Sequence, residues 1–365
     1  MNFHHTHISP AAISRVRAVL ESGWVNEGPV VREFESTLSS RLGLVNPVAL
    51  NSGTAALHLA LVLGGVGPGD EVIIPAQTFV ATGLVVLMQR AVPVFADIDP
   101  TTGNISPASI QAVVTSKTKA VIPVHWGGYP CDLDEINAVA SRHGLTVIED
   151  AAHALGASYR GKPIGSISRF TAFSFQAIKS LTTGDGGALC CPSESDAAAA
   201  RRLRWFGIDR SRSRPSLIGA RQVDIAELGY KYHMNDVAAA IGFGNLEDFP
   251  LRLARRRSIA AHYRAEFSHV RGITLLRNDP DRQPAYWFFS FLVDRREDFV
   301  RRLAEKGVPA SVIDLGIDSN SVFGGPRPEL ANQRYFDAHH IALPVHDALS
   351  QSDIELIVAT VRGGW

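Results

Sequence analysis

The sequence predicts an α/β protein: a large domain over residues 1–245, with a mostly parallel central sheet sandwiched by helices, and a smaller C-terminal α/β domain over 246–365. Three observations carry this prediction. Between about residues 45 and 195, short apolar runs alternate with segments of helical apolar spacing. Several of those runs are apolar on both faces, as strands buried between two helix layers must be. After Asn245 the composition shifts to an Arg-rich helical stretch and then an aromatic run.

The predicted strands are 48–51, 71–75, 93–97, 119–125, 145–150, 170–175 and 187–191, and the predicted helices 54–63, 79–88, 107–114, 132–143 and 196–205. Such alternation implies parallel strands joined by right-handed crossovers. Turn residues fall between the elements: Gly67-Pro68-Gly69-Asp70 precedes one strand and Asp99-Pro100 follows another. Beyond 245 the pattern predicts a helix over 251–267, an aromatic strand over 286–293 and a helix over 296–306. An irregular stretch rich in Gly, Pro and Asn follows, and a last helix starts at 351. Arg252, Arg255, Arg256 and Arg257 read as the solvated face of the first of these helices.

Composition narrows the function classes. Lys plus Arg equals Asp plus Glu at 36 each, so no basic excess points to nucleic acid. No apolar run reaches the roughly 20 residues a membrane-spanning helix needs, and residues 1–10 lack a signal pattern. A soluble, cytoplasmic protein is expected. Cys131, Cys190 and Cys191 can build no disulfide framework and lack the paired spacing of a zinc site, so reduced thiols and no metal are expected.

Four local features fit one cofactor. Asn51-Ser52-Gly53-Thr54-Ala55-Ala56 joins a strand to a helix, where Gly53 permits close backbone approach and the helix N-terminus attracts an anion. An ordinary helix cap by Ser52 or Thr54 explains the same residues. Val147-Ile148-Glu149-Asp150 is an apolar strand ending in carboxylates, which puts Asp150 at the carboxyl edge of the sheet, where such folds bind ligands. A carboxylate there can keep a pyridine nitrogen protonated, although a helix cap is the plainer use. In Phe173-Ser174-Phe175-Gln176-Ala177-Ile178-Lys179, a lysine sits just past a strand end and enters a Thr/Gly-rich loop closed by Gly186 and Gly187. A nucleophilic lysine needs such a place without a permanent ion pair. Ser174 can reach the same anion. Lastly, Phe79 in Pro75-Ala76-Gln77-Thr78-Phe79 can stack on a planar ring or simply fill the core.

The order of these features resembles the DegT/DnrJ/EryC1/StrS family of pyridoxal 5'-phosphate (PLP)-dependent sugar aminotransferases, which have the aspartate aminotransferase fold (fold type I). The similarity runs nearly end to end. It includes Ser22-Gly23-Trp24 with Gly28-Pro29, the four stretches above, 229–236 and 341–346. Position by position, the resemblance implies that Lys179 forms the Schiff base and Asp150 pairs with the pyridine nitrogen. Phe79 falls at a ring-stacking position and His153 at one close to the cofactor ring. Gly53, Thr54 and Ser174 fall at phosphate-binding positions. It further implies a homodimer with shared active sites, in which the stretch holding Lys231 reaches the partner's cofactor.

Two places depart from the family pattern. Lys231 stands where many relatives have Asn, and residues 314–319 lack the His and Arg of several relatives. The implied reaction moves an amino group, with L-glutamate as donor, to a keto group of a nucleotide-linked 6-deoxy sugar. Arg204, Trp205, Tyr286 and Trp287 are candidates for lining the sugar's site. Other PLP reactions on the same scaffold (a sugar dehydratase or an amino-hydroxybenzoate-type synthase) and a non-catalytic regulatory relative are the competing readings. A dehydratase branch with His at the lysine position is disfavoured by Lys179 itself.

Overall fold

Seven of the apolar runs form one sheet, as their two-sided burial requires. The structure, a computed structural model, describes residues 1–209 and 224–365 and the backbone of a hairpin at Arg214–Pro215 and Arg221–Gln222. In chain order the strands are β1 (Pro47–Leu50), β2 (Glu71–Pro75), β3 (Val92–Ala96), β4 (Thr118–Val121), β5 (Thr146–Asp150), β6 (Phe170–Ser174) and β7 (Gly187–Cys190). In space they run β1-β7-β6-β5-β4-β2-β3, with β7 antiparallel to both its neighbours and every other pair parallel.

The crossover helices follow from sequence as directly as the strands. Helix α3 (Gly53–Leu63) is apolar all round because the sheet lies on one side and other helices lie on the rest. Ser52 caps it by accepting from the Ala55 N–H at 3.0 Å. Helix α6 (Leu133–His143) carries Asp134 and Glu135 in its first turn and Arg142 and His143 in its last, each end matching the helix dipole.

Two N-terminal helices were not expected: α1 (Pro10–Ser22) and α2 (Pro29–Leu42). Both begin with a proline at the first helical position, where the missing N–H costs nothing. Helix α2 has no cap of its own. Asp236, at the start of α8 (Asp236–Asn245), accepts from the N–H groups of Gly28 (2.8 Å), Val31 (3.0 Å) and Val30 (3.3 Å). A carboxylate thus sits on the positive end of a helix more than 200 residues away.

The C-terminal portion builds its own antiparallel sheet from β8 (Ile273–Leu275), β9 (Phe289–Val293) and β10 (His340–Leu343). Aromatic residues of β9 pack on α9 (Phe249–Phe267) through Tyr263 and Phe267, and on α12 (Gln351–Arg362) through residues such as Ile357. The stretch expected to be irregular in fact holds the helix Ala331–His339 as well as β10.

The arginine run needs a larger correction, because Arg252 and Arg256 are buried rather than solvated. Arg252 donates to the Ser180 carbonyl at 2.7 Å and to the Asn245 carbonyl at 2.9 Å. Arg256 reaches the Val345 carbonyl at 3.0 Å, and Arg257 the carbonyls of Pro284 (2.9 Å) and Gly156 (2.8 Å). These guanidiniums act as multi-donor clamps on backbone oxygens, a use their planar donor fork permits. The three cysteines are free and buried. Among the described residues, no helix is long and apolar enough to cross a membrane.

Candidate active site

The carboxyl ends of the parallel strands open onto a cavity of about 490 Å³, at the edge where open α/β sheets bind ligands. Strand register puts its first corner together. Leu50 pairs with Gly187, and Gly187 pairs with Ser174, so the turn from β1 into α3 lies beside the end of β6. A Cβ on Gly187 would lie 2.5 Å from the Ser52 backbone, and one on Gly53 would lie 2.9 Å from Ser174 Cβ. Only glycine at both positions lets the turn close. The corner that results presents the first N–H groups of α3, which have no intrahelical partner, with Thr54 exposed at the rim and the Ser174 hydroxyl opposite. Ser52 is therefore a cap and a site residue at once.

Asp150 ends β5 at 6 % exposure. It is not a helix cap; its Oδ1 accepts from the Ala152 N–H at 3.1 Å within a turn. Oδ2 accepts from the Thr82 hydroxyl at 2.9 Å, and Thr82 is in turn 2.7 Å from the Thr78 hydroxyl. Burial pushes the Asp150 carboxyl above its ordinary range, opposed by these hydrogen bonds and then by Lys179. The cavity thus holds an aimed carboxylate that lacks a bonded cation. Thr82 carried no motif signal.

Lys179 faces this cavity. Its Nζ lies 3.6 Å from the centroid of the Trp287 ring, and no hydrogen bond or ion pair to it occurs among the described residues. Loss of hydration lowers its pKa to about 8, against the opposing pull of Asp150 and Asp314. Its backbone is fixed on both sides by the C-terminal half. Trp287 Nε1 donates to the Ile178 carbonyl at 2.9 Å, while Arg252 holds Ser180. The lysine is positioned through its neighbours and left free at its tip.

His153 stacks on Trp287 at 4.0 Å between ring centroids. Burial, then the charge of Lys179, holds it neutral far below the usual imidazole range. Its Nδ1 is buried with no hydrogen-bond partner. Phe79 forms another wall and is 59 % exposed.

The cavity therefore gathers Gly53, Thr54, Phe79, Asp150, His153, Ser174 and Lys179. Lys231 lies outside it, with its ammonium 3.8 Å from the Trp205 ring centroid. Of the four candidates for the sugar, only Trp287 lines the cavity. Arg204 is buried between Glu27 and Glu35, and the Tyr286 hydroxyl donates to Asn278 at 3.1 Å. Two further lining residues are His4, from the N-terminal arm, and Asp314, from the C-terminal half. His4 stacks on Trp287 at 5.0 Å, and its arm is held by a bond from His346 Nε2 to the Asn2 carbonyl at 3.0 Å.

The chain also matches known proteins in sequence and in fold. The sequence profile of the DegT/DnrJ/EryC1/StrS aminotransferase family matches residues 7–362. The spore coat polysaccharide biosynthesis protein SpsC of Bacillus subtilis is 37% identical over 367 residues, covering 97% of this chain and 94% of its own. The crystal structure of the sugar aminotransferase CalS13 from Micromonospora echinospora superposes with a TM-score of 0.95 at 35% identity, covering 100% of both chains. That of AtS13 from Actinomadura melliaura does so with a TM-score of 0.95 at 38% identity, covering 100% of this chain and 99% of its own.

Proposed function

Because the chain belongs to the DegT/DnrJ/EryC1/StrS aminotransferase family and is a sugar aminotransferase, we propose that it moves an amino group from L-glutamate to the keto group of a nucleotide-linked 6-deoxy sugar. The family is PLP-dependent, and the residues in the cavity fit that cofactor. The glycine-built corner at Gly53, Thr54 and Ser174 suits a phosphate. The Asp150 carboxylate, buried without a bonded cation, suits a protonated pyridine nitrogen. Phe79 and the His153–Trp287 stack supply flat walls for a ring. The observation that carries the reading is Lys179: a partly buried amine of lowered pKa, clamped by its backbone and unbonded at Nζ.

When bound, PLP supplies an aldehyde that holds the amino group in transit and a ring that accepts electron density from the donor's α-carbon. The chain's own residues do the rest. Lys179 Nζ would hold the cofactor and, as a free amine, would move the proton to and from the donor's α-carbon. Asp150 keeps the ring nitrogen cationic. Neutral His153 packs against the site without competing as a charge. The test is to purify the protein with PLP and add excess L-glutamate. A visible cofactor band that fades as a near-ultraviolet pyridoxamine band rises supports the reading; absence of any protein-bound band refutes it.

The state of Lys179 also sets a pH dependence. Only the deprotonated amine attacks an aldehyde. With its pKa at about 8, the rate at which cofactor-free protein captures PLP is expected to climb about tenfold per pH unit in acid solution. It should level off near pH 8, where an unperturbed lysine would keep rising to about 10.4. Stopped-flow absorbance from pH 6 upward reads this directly, and a rate still rising steeply above pH 9 contradicts the free, desolvated amine.

The proposal includes a homodimer with shared sites. Trp24, Val25, Phe206 and Leu228 are large apolar residues exposed on the single chain, and burial against a second copy explains them. Lys231, adjacent to Phe206 in space, would then face the partner's cavity.

A further inference from the structure

The cavity contains a carboxylate that the cofactor leaves unused. Asp314 lines it from the C-terminal half, and its carboxylate has no hydrogen bond or ion pair among the described residues. Its backbone is left-handed at φ 49°, a conformation that side-chain-bearing residues seldom adopt and that persists only where the surroundings impose it. Here they do. Gln77, fully buried, donates from Nε2 to the carbonyls of Asp314 (2.9 Å) and Ile313 (3.3 Å), while its Oε1 accepts from buried Gln333 at 2.7 Å. The Ile317 N–H bonds the Ala76 carbonyl at 2.9 Å and secures the next residues.

Gln77 belongs to the same junction as Thr78 and Phe79, so the device fastening Asp314 is part of the cavity wall. A cavity-lining residue whose left-handed backbone is fastened by a buried amide, and whose carboxylate has no partner among the described residues, is placed to meet a ligand. An ionised carboxylate only accepts hydrogen bonds. Asp150, Asp185 and Asp314 all line this cavity, against one unpaired lysine. Asp314 therefore suits a hydroxyl-bearing group and repels an anionic one placed beside it.

We propose that Asp314 is the specificity-determining residue that accepts a hydrogen bond from a hydroxyl of the acceptor sugar, a role that rests on the sugar aminotransferase reading above. The competing role is a fixed counter-charge for Lys179. The two separate by half-reaction, because L-glutamate carries no sugar hydroxyl, whereas a counter-charge serves both halves alike.

The experiment uses PLP-loaded enzyme and the variants Asp314→Asn and Asp314→Gly. Both replacements accept a left-handed backbone, so each removes the charge without forcing the loop to move. L-Glutamate alone reads the donor half by absorbance; dTDP-, UDP- and GDP-linked 4-keto-6-deoxyglucose read the acceptor half by steady-state kinetics. Expected is a KM for the sugar raised about tenfold or more in Asp314→Gly, the loss of one hydrogen bond to a charged group, and raised less in Asp314→Asn, whose amide oxygen still accepts. The glutamate half-reaction should change far less. Removing the sugar hydroxyl that Asp314 accepts should cost the parent enzyme the same factor and the glycine variant little further.

An unchanged sugar KM in both variants overturns the proposal, as does an equal slowing of the glutamate step, which assigns Asp314 to Lys179. A parent enzyme that reacts with glutamate but turns over none of the three sugars overturns the sugar reading and this role with it.

Discussion

Replacing Lys179 with alanine is expected to lower turnover by about a thousandfold or more while leaving the fold at least as stable. Two functions disappear together: the covalent anchor for the cofactor and the base that moves the α-proton. Positioned general acid–base groups alone contribute about 10² to 10⁴ in rate. Neither histidine of the cavity nor Asp150 is placed to substitute. His153 and His4 are neutral at working pH, and both are held by stacking on Trp287. Asp150 is engaged with Thr82 and Ala152.

Stability should respond in the opposite sense. The ammonium is stripped of hydration without an ion pair in exchange, which is why its pKa falls, so alanine removes an unfavourable term. Trp287 keeps its bond to the Ile178 carbonyl and Arg252 its bond to Ser180, so the loop stays fastened. The checks are single-turnover kinetics and a melting curve of the cofactor-free protein. Turnover within about tenfold of the parent would remove Lys179 from the chemistry. A large loss of melting temperature would mean that the substitution reports on folding instead.

The parts of this molecule legible in the sequence are those decided by local pattern. The seven sheet strands are short, several are apolar on both faces, and turn residues bound each to within a few residues of its observed span. The site residues on strand-to-helix junctions are legible for the same reason: the fold class dictates that such junctions meet at the carboxyl edge. Local pattern fails where tertiary partners decide. Helix α1 buries only Ala12 and Val19 of its 13 residues, and Ile13 and Leu20 remain exposed, which blurs the apolar periodicity. Helix α2 takes its cap from Asp236, which no window around Gly28 contains.

The arginines of α9 mislead because charge reads as exposure. Their partners are carbonyl oxygens of distant segments, and these leave no trace in a local pattern. The same blindness hides His4 and Asp314. Each reaches the cavity through a distant partner, the His4 arm through the bond from His346 to the Asn2 carbonyl and Asp314 through Gln77. Trp287 is a visible candidate in the sequence, but nothing there places it. Its role in holding Ile178 while stacking on His153 joins the two halves of the chain at the reactive lysine.

Replacing Asp150 with asparagine is expected to separate activity from stability most sharply. The amide has the carboxylate's shape, and the Thr82 and Thr78 hydroxyls can rotate to suit it, so the turn at the end of β5 is kept. What goes is the charge. A cationic ring nitrogen in this buried place would face a neutral amide, and removing one partner of a buried pair costs about 3–5 kcal/mol. At about 1.4 kcal/mol per decade, that is about a hundred- to several-thousandfold loss in turnover, with weaker cofactor retention.

For the cofactor-free protein the sign reverses. Burial raises the Asp150 pKa in the folded state, so Asp150 opposes folding at neutral pH, where the unfolded chain's carboxyl is ionised. Asparagine relieves that cost. The Asp150→Asn protein without PLP should melt no lower than the parent at pH 7, and its margin should shrink as pH falls through the carboxylate range, where the parent's Asp150 takes up its proton. Melting curves at pH 7 and pH 4, with and without PLP, separate the two effects. If PLP raises the parent's melting temperature much more than that of Asp150→Asn, while the cofactor-free margin keeps this sign, Asp150 is a charge held in reserve for the ring nitrogen. If PLP stabilises both equally, the carboxylate serves the fold and the pairing assigned to it is wrong.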